Sequence, residues 1–124
     1  MIPRFRAWHK TWEEMGKVTC IHFDDEHNVI SMFCVEEQAT SALLDDEVIL
    51  MQSTCLFDKN GKEIFEGDIV LVLGSLYTVF YDIEKGSYRL KPHDDRWVVD
   101  YMSNFSHGGN FEVVGNIYEN KELL

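Results

Sequence analysis

Basic residues and long apolar runs are scarce in this sequence, and each shortage excludes a class of protein. No lysine or arginine lies between Lys17 and Lys59, and the chain has 11 basic against 22 acidic residues, a formal net charge of −11. Such a field repels phosphate backbones, which disfavours nonspecific nucleic-acid binding. No apolar stretch approaches the roughly 18 residues of a membrane span, and no apolar segment follows the first charges of the N-terminus. The sequence therefore predicts a soluble, unexported protein without membrane contact.

Cysteine is also scarce, and its spacing gives no disulfide or zinc pattern. The three cysteines, Cys20, Cys34 and Cys55, form no C-x-x-C pair, and an odd number cannot all be paired within one chain. Reduced thiols fit a cytoplasm best. We therefore predict a cytoplasmic protein whose core needs no disulfide, metal or other cofactor.

The remaining composition is that of a packed domain. The chain has 124 residues, of which 45% are hydrophobic and 13% aromatic, enough for one ordinary core. We expect a single domain over residues 1–124. Its acidic N-terminal half, residues 1–49, and its strand-dense C-terminal half, residues 50–124, could form subdomains.

The hydrophobic pattern predicts a mainly β fold. Short runs rich in Val, Ile, Leu and Tyr alternate with Gly, Pro, Asn and Asp clusters, and the predicted strands cover residues 17–23, 29–35, 47–56, 69–73, 76–81, 87–91, 96–102 and 111–118. This spacing is typical of a small barrel or of curled antiparallel sheets. Helical signals are weak: residues 35–44 predict one or two turns, and residues 119–124 a final turn or a frayed end.

The stretch DKNGK, residues 58–62, predicts a hairpin turn. Asn60-Gly61 tolerates the two positive φ angles of a type I′ turn, and the Asp58 carboxylate can accept hydrogen bonds from backbone amides ahead of it. A calcium loop is the alternative, but an EF-hand has glycine in its sixth position, whereas Gly61 is fourth counted from Asp58. Farther on, Glu66-Gly67-Asp68 predicts a tight bend that leads into a buried strand.

The same stretch, with three others, resembles the YopX family, small proteins encoded in phages and prophages of Gram-positive bacteria. The similar segments are IPRFRAW at 2–8, LMQ at 50–52 with Thr54, DKNGKEIFEGDIV at 58–70 and FEVVGNIYEN at 111–120. Two positions depart from the family, which commonly has Asp in place of His9 and Gly in place of Cys55. The resemblance implies a mostly β phage protein that works inside the bacterial host, and it implies no catalytic residues.

Candidate chemical sites are few. Cys20, His22 and Cys34, with Asp24 as a fourth ligand, could hold a metal if two neighbouring strands pair, although the spacing matches no standard zinc pattern and buried cysteines usually serve packing. Sequence signatures of nucleophile elbows, phosphate-binding loops and zinc proteases are all absent. We therefore predict a protein without catalytic, cofactor or metal residues.

Two groups of residues could form interaction surfaces. One face of a strand would carry Arg4, Arg6, Trp8 and Lys10, with Phe5 between the two arginines and Trp12 beyond Lys10. Such interleaved basic and aromatic residues are found on surfaces that bind single-stranded nucleic acid. The structural interpretation is an edge strand with Phe5 and Ala7 facing inward. Downstream, Trp97, Tyr101 and Phe105 could anchor a protein partner.

The sequence thus favours a noncatalytic protein-binding or self-assembling module whose partner is a host or phage protein. Three alternatives stay open. An acidic protein could mimic DNA and occupy the basic groove of a host protein, the basic N-terminal segment could bind nucleic acid, or an unrecognised site could make a small enzyme.

Overall fold

The computed structural model describes residues 4–23, 29–35, 38–43, 48–94, 99–101 and 110–124. The chain divides into two compact units, Met1–Gln52 and Ser53–Leu124. The boundary lies inside a strand, so the two units share one continuous piece of backbone.

The first unit is an antiparallel sheet. Its strands are β1 (Phe5–His9), β2 (Glu14–Phe23), β3 (Val29–Val35), β4 (Gln38–Leu43) and the first half of β5 (Val48–Phe57). Their order is β4-β3-β2-β1-β5, and β1 pairs with β2 on one side and with β5 on the other.

Two predictions for this unit are wrong. β1 is an interior strand of the sheet rather than an edge strand, because the distant β5 pairs with it from Phe5↔Gln52 to His9↔Val48. The helical turns predicted over residues 35–44 are replaced by β4, which pairs with β3 over its whole length. Thr40 and Ser41 interrupt the helix formers of this stretch, and long-range strand pairing outweighs a weak local preference.

The second unit contains the end of β5 and six more strands. They are β6 (Glu63–Phe65), β7 (Asp68–Val72), β8 (Ser75–Asp82), β9 (Ser87–Pro92), β10 (Asp100–Tyr101) and β11 (Phe111–Asn116). The end of β5 pairs with β6, and the other five strands form an antiparallel sheet in the order β10-β9-β8-β7-β11. This linear order confirms the mainly β prediction and, within the described residues, corresponds to an open sheet rather than a closed barrel.

Helix is limited in the described residues to one short 3-10 turn, Lys121–Leu123, where the sequence predicts a final turn or a frayed end. None of the helical structure described is long and apolar enough to cross a bilayer.

The core of the second unit comes from apolar side chains on β6, β7, β8, β9 and β11. The buried cluster consists of Ile64, Val70, Val72, Tyr77, Val79, Leu90 and Phe111. β7 is buried at four of its five residues, as predicted for the strand after the Glu66-Gly67-Asp68 bend. Gly67 provides that bend with a φ of 87°, and the Asp68 carboxylate accepts the Phe65 N–H at 2.8 Å.

The hairpin predicted at residues 58–62 is present, but its turn type differs from the prediction. Gly61 has a φ of 81°, whereas the φ of Asn60 is not positive, as a type I′ turn would require. The Gly61 N–H donates to the Asp58 carbonyl at 3.0 Å, which closes an ordinary four-residue turn whose last residue is the left-handed Gly61. The type I′ geometry occurs instead at Leu73-Gly74, between β7 and β8, where φ is 49° and 82°.

A bulge in β5 explains the unusual backbone of Cys55. The register with β6 shifts between Ser53 and Leu56, and Cys55 adopts a φ of 63°. Two side chains stabilise the bulge: the Ser53 hydroxyl accepts the Cys55 N–H at 2.9 Å, and the Thr54 hydroxyl donates to the Ile64 carbonyl at 2.7 Å. A left-handed conformation favours glycine, the residue expected here from the family resemblance.

The replacement Cys55→Gly should therefore stabilise the protein. A side chain in the left-handed region costs about 1–2 kcal/mol, and glycine removes this cost. Glycine also loses more conformational entropy on folding, so the free energy of unfolding should rise by only about 0.5–1 kcal/mol. Denaturant unfolding of the two proteins measures the difference. Cys55→Ala is the matched control, since alanine keeps the strain and should give no gain. A Cys55→Gly variant no more stable than Cys55→Ala would show that the bulge is not strained.

Candidate interaction surface

The basic and aromatic residues near the N-terminus lie on and around β1. Ala7 and His9 are buried, whereas Arg6 and Trp8 are partly exposed and Arg4, just before the strand, is exposed. The predicted alternation is therefore confirmed from Ala7 onward. Phe5, predicted to face inward, is only half-buried.

The turn between β1 and β2 holds Trp12 in a fixed and exposed position. The ring of Trp12 stacks on that of His9 with centroids 4.0 Å apart and planes 7° from parallel, and the side chain stays 50% exposed. His9 Nδ1 accepts the Trp12 backbone N–H at 3.2 Å, and the His9 carbonyl accepts the N–H of Glu13 at 2.8 Å. His9 is itself only 5% exposed, so the indole rests on an anchored ring.

The other predicted surface is only partly described. Trp97 and Phe105 lie outside the described residues, and the structure gives the backbone of Tyr101, which pairs with Arg89 in the register of β10 and β9. The structure therefore does not bring these three aromatic residues together as a described surface, and the anchor role stays a prediction.

The metal hypothesis likewise rests on backbone positions alone. The register of β2 and β3 pairs Cys20 with Met32, His22 with Ile30 and Lys17 with Cys34. Asp24 lies outside the described residues. Among the described residues no group of three or more His, Cys, Asp or Glu is arranged to hold a metal ion.

Asp58 organises the most conspicuous polar network in the second unit. Asp58 is only 6% exposed. One of its carboxylate oxygens accepts the N–H groups of Asn60 at 2.9 Å and Lys62 at 2.8 Å. The other oxygen accepts the N–H of Val113, 55 positions away on β11, at 2.9 Å. The first two contacts confirm the predicted turn, whereas the third is a long-range contact that sequence reasoning missed.

The loop between β5 and β6, residues 58–62 (the Asp58 loop), also covers the outer edge of β11. β11 is the last strand in its sheet order, and the loop satisfies two of its backbone groups: Val113 N–H through the carboxylate, and the Phe111 carbonyl through Lys59 N–H at 2.9 Å. Lys59 Nζ adds an exposed ion pair with Glu112 at 3.4 Å. An edge strand is thereby closed to other chains along this part of its length.

Two carboxylates of this unit have lowered pKa values. Burial opposes ionisation of Asp58, but the backbone N–H groups of Val113, Lys62 and Asn60 outweigh it and lower the pKa below the ordinary 3.8. The Arg89 guanidinium, 2.8 Å from the Asp82 carboxylate, lowers the pKa of Asp82 below the same value.

The C-terminal segment is held by a second set of backbone contacts. The Asn116 side chain accepts the N–H groups of Tyr118 at 3.0 Å and Glu119 at 2.8 Å, and the Asn120 side-chain oxygen accepts the Asn116 N–H at 3.1 Å. A Cβ added to Gly115 would lie 2.9 Å from Asn120 Cβ, so only glycine fits this turn without displacing its neighbour.

His93 fixes the end of the chain, and nothing in the sequence indicated this role. Its Nδ1 lies 3.0 Å from the Leu123 carbonyl, which requires a proton on that nitrogen, and its Nε2 lies 2.7 Å from the Thr78 hydroxyl. The imidazole therefore links β8 to the last residues of the chain as a structural bridge.

Ser53, Glu63 and Tyr88 form a polar cluster beside the β5 bulge. The Ser53 hydroxyl hydrogen-bonds to the Glu63 carboxylate, and the Tyr88 hydroxyl donates to the Ser53 carbonyl at 3.4 Å. Burial, with a further contribution from the Glu66 charge, raises the pKa of Tyr88 to about 12. Tyr88 is thus a hydrogen-bond donor at neutral pH, and these contacts stabilise the bulge.

Comparison with known families identifies the chain. A family model described as YopX protein matches residues 4–124. The chain belongs to the YopX family. Protein EF1440 from Enterococcus faecalis, known from a crystal structure, is 31% identical over 100% of this chain and 99% of that one, with a TM-score of 0.67. Protein yopX from Bacillus subtilis has a similar fold at 17% identity, covering 98% and 97% of the two chains, with a TM-score of 0.63. No curated protein matches the chain.

Two of the segments on which the sequence resembles the YopX family have structural roles in the second unit. Asp58 closes its own turn and binds β11, while Gly115 and Asn116 shape the turn that follows β11. In the first unit, His9 Nδ1 accepts the Trp12 backbone N–H, and the His9 ring stacks on the Trp12 ring.

Replacing the Asp58 carboxylate should weaken the second unit and change its response to acid. In Asp58→Asn, one side-chain oxygen can still accept from the turn, but an amide nitrogen would face the Val113 N–H, and an unsatisfied buried donor costs about 1–3 kcal/mol. Because the folded pKa is lowered, the Asp58 contribution is complete above the unfolded value near 4 and is lost as pH falls through the lower folded value.

Denaturant unfolding between pH 7 and pH 2 measures both effects. Wild type should lose stability steeply below about pH 4, and Asp58→Asn should be less stable at pH 7 with a shallower loss in acid. Asp82→Asn is the matched control, since it also removes a low-pKa carboxylate but leaves β11 untouched. Equal stability of Asp58→Asn and wild type at pH 7 would contradict the proposed role.

Proposed function

We propose that this YopX protein is a noncatalytic protein-binding module of a phage or prophage, active in the cytoplasm of the bacterial host. The observation that carries the proposal is the Trp12 side chain, half exposed yet held in place by the buried His9 ring. Tryptophan is among the residues most enriched at interface hot spots, where a few side chains provide most of the binding energy.

The geometry of Trp12 favours a binding role because little freedom remains to be lost. Immobilising a side chain on association usually costs about 0.5–1.5 kcal/mol, and an aromatic ring already stacked on an anchored partner avoids part of that cost. Lys10, Thr11 and Glu13, the neighbours of Trp12 in the same turn, are exposed and would provide the polar rim that such interfaces have.

The charge of the first unit supports a protein partner over nucleic acid. Arg4, Lys10 and Trp12 are exposed and would suit a single strand, but residues 1–52 contain only four basic against ten acidic residues. The alternatives are nucleic-acid binding, DNA mimicry and an unrecognised enzymatic activity.

Affinity capture from host lysate tests the proposal with three tagged proteins: wild type, Trp12→Ala and Ile83→Ala. Ile83 is a matched control because it is a still more exposed apolar side chain, and it belongs to the other unit. A specific protein partner should be retained by wild type and Ile83→Ala, survive nuclease treatment and be lost from Trp12→Ala. With the purified partner, loss of the indole should weaken binding by about 2 kcal/mol, roughly thirtyfold in Kd.

Other results would redirect the assignment. A partner retained equally by Trp12→Ala would contradict the Trp12 surface, and partners lost on nuclease treatment would favour nucleic acid. Recovery of this chain alone, with a mass in solution that grows with concentration, would favour self-assembly.

A further inference from the structure

The exposed turn of the Asp58 loop contains a chemically reactive pair, Asn60-Gly61. The sequence has six asparagines, and Asn60 alone is followed by glycine, whereas the other five precede Val, Phe, Ile or Lys. Asparagine is thermolabile because the backbone nitrogen of the next residue can attack its side-chain amide, and glycine has no side chain to hinder that attack. Asn60 and Gly61 are both exposed. The turn is therefore the place where this chain is most open to deamidation.

The contacts of the turn leave the reacting side chain open. The backbone N–H of Asn60 donates to the Asp58 carboxylate at 2.9 Å, but the side-chain amide of Asn60 has no hydrogen-bond partner within the described residues. Gly61 has open space beside it, since a Cβ added there would meet no atom within 4 Å. One contact opposes the reaction: the Gly61 N–H, which must lose its proton, donates to the Asp58 carbonyl at 3.0 Å.

We propose that Asn60 deamidates spontaneously in the folded protein, and that isoaspartate at this position frees the Val113 N–H from the Asp58 carboxylate. In the first step the backbone nitrogen of Gly61 forms a bond to Cγ of Asn60. The bond from Cγ to the side-chain amide nitrogen breaks, and that nitrogen leaves as ammonia with the proton of the Gly61 N–H. The product is a five-membered cyclic imide.

Water then opens the imide at either of its two carbonyl carbons. Cleavage of the new bond at Cγ gives aspartate and restores the original backbone. Cleavage at the original peptide carbonyl gives isoaspartate, whose backbone runs through the side-chain carbons and whose α-carboxylate is free. Water is the only co-reactant, and no group is oxidised or reduced.

Isoaspartate would disturb the Asp58 loop because the altered link lies between two donors to one oxygen. Asp58 Oδ1 accepts the N–H groups of Asn60 at 2.9 Å and of Lys62 at 2.8 Å. The isoaspartate link adds one carbon to the backbone between these donors, so they no longer converge on that oxygen. The Asp58 carboxylate has to move to follow them, and its other oxygen loses the Val113 N–H, which it accepts at 2.9 Å.

Peptide mass spectrometry of the full chain, aged in mildly alkaline buffer, tests the reactivity. Position 60 should exchange an amide NH₂ for a hydroxyl and give both aspartate and isoaspartate, while Asn110, which is also exposed, keeps its amide. The single opposing hydrogen bond should slow the folded chain roughly two- to tenfold relative to the same chain in denaturant. Asn60→Gln is the matched control, since it keeps an exposed amide but must close a larger ring, and it should stay unmodified.

Two results would overturn the reactivity of Asn60. One is an intact amide at position 60 of the folded chain after a time in which the unfolded chain has reacted completely. The other is earlier loss of the amide at Asn110 than at Asn60.

Hydrogen exchange on the isoaspartate form, isolated by chromatography, tests the release of Val113. A hydrogen bond to a carboxylate is worth about tenfold or more, so the Val113 amide should exchange at least about tenfold faster in this form than in the unaged chain. Asn60→Asp is the control, because it carries the new charge on an unaltered backbone and should keep the Val113 amide slow. An unchanged Val113 amide in the isoaspartate form, or an equally fast one in Asn60→Asp, would overturn the release.

This site lies in the second unit and does not depend on the Trp12 surface of the first. The two proposals therefore succeed or fail separately, since the aging experiment uses the chain alone and the capture experiment uses unaged protein.

Discussion

The second unit depends on one buried carboxylate that binds three backbone amides. Asp58 accepts the N–H groups of Asn60 and Lys62 within its own turn and the N–H of Val113 on β11. A buried carboxylate is stable only when such donors replace its lost hydration. The same side chain therefore fixes the turn after β5, positions the last strand of the sheet and covers the open edge of that strand.

This arrangement gives a structural role to the longest segment on which the sequence resembles the family. Residues 58–70 contain acidic residues in a polar loop, a composition that invites a metal-binding interpretation. In this segment Asp58 and Asp68 accept backbone N–H groups, and the Glu63 carboxylate hydrogen-bonds to the Ser53 hydroxyl. The surface for which we propose a binding function lies in the first unit, where Trp12 is exposed.

The parts of the fold that were predictable depend on local chemistry. Alternating apolar residues and turn signals located most strands, and Asp58 with Gly61 located the hairpin. The errors concern long-range pairing: β1 became an interior strand because β5 pairs with it, and residues 38–43 became a strand because β3 pairs with them. The site shows the same division. The aromatic and basic residues near the N-terminus were recognisable in the sequence, whereas the stack of Trp12 on His9 and the contact from Asp58 to Val113 depend on the three-dimensional fold.

Asp58 closes part of the outer edge of β11 by accepting the Val113 N–H. Hydrogen exchange measured amide by amide on the full chain at neutral pH tests this role most directly. We expect the Val113 amide to exchange as slowly as the amides of β7. A Val113 amide that exchanges fast would contradict the role of Asp58.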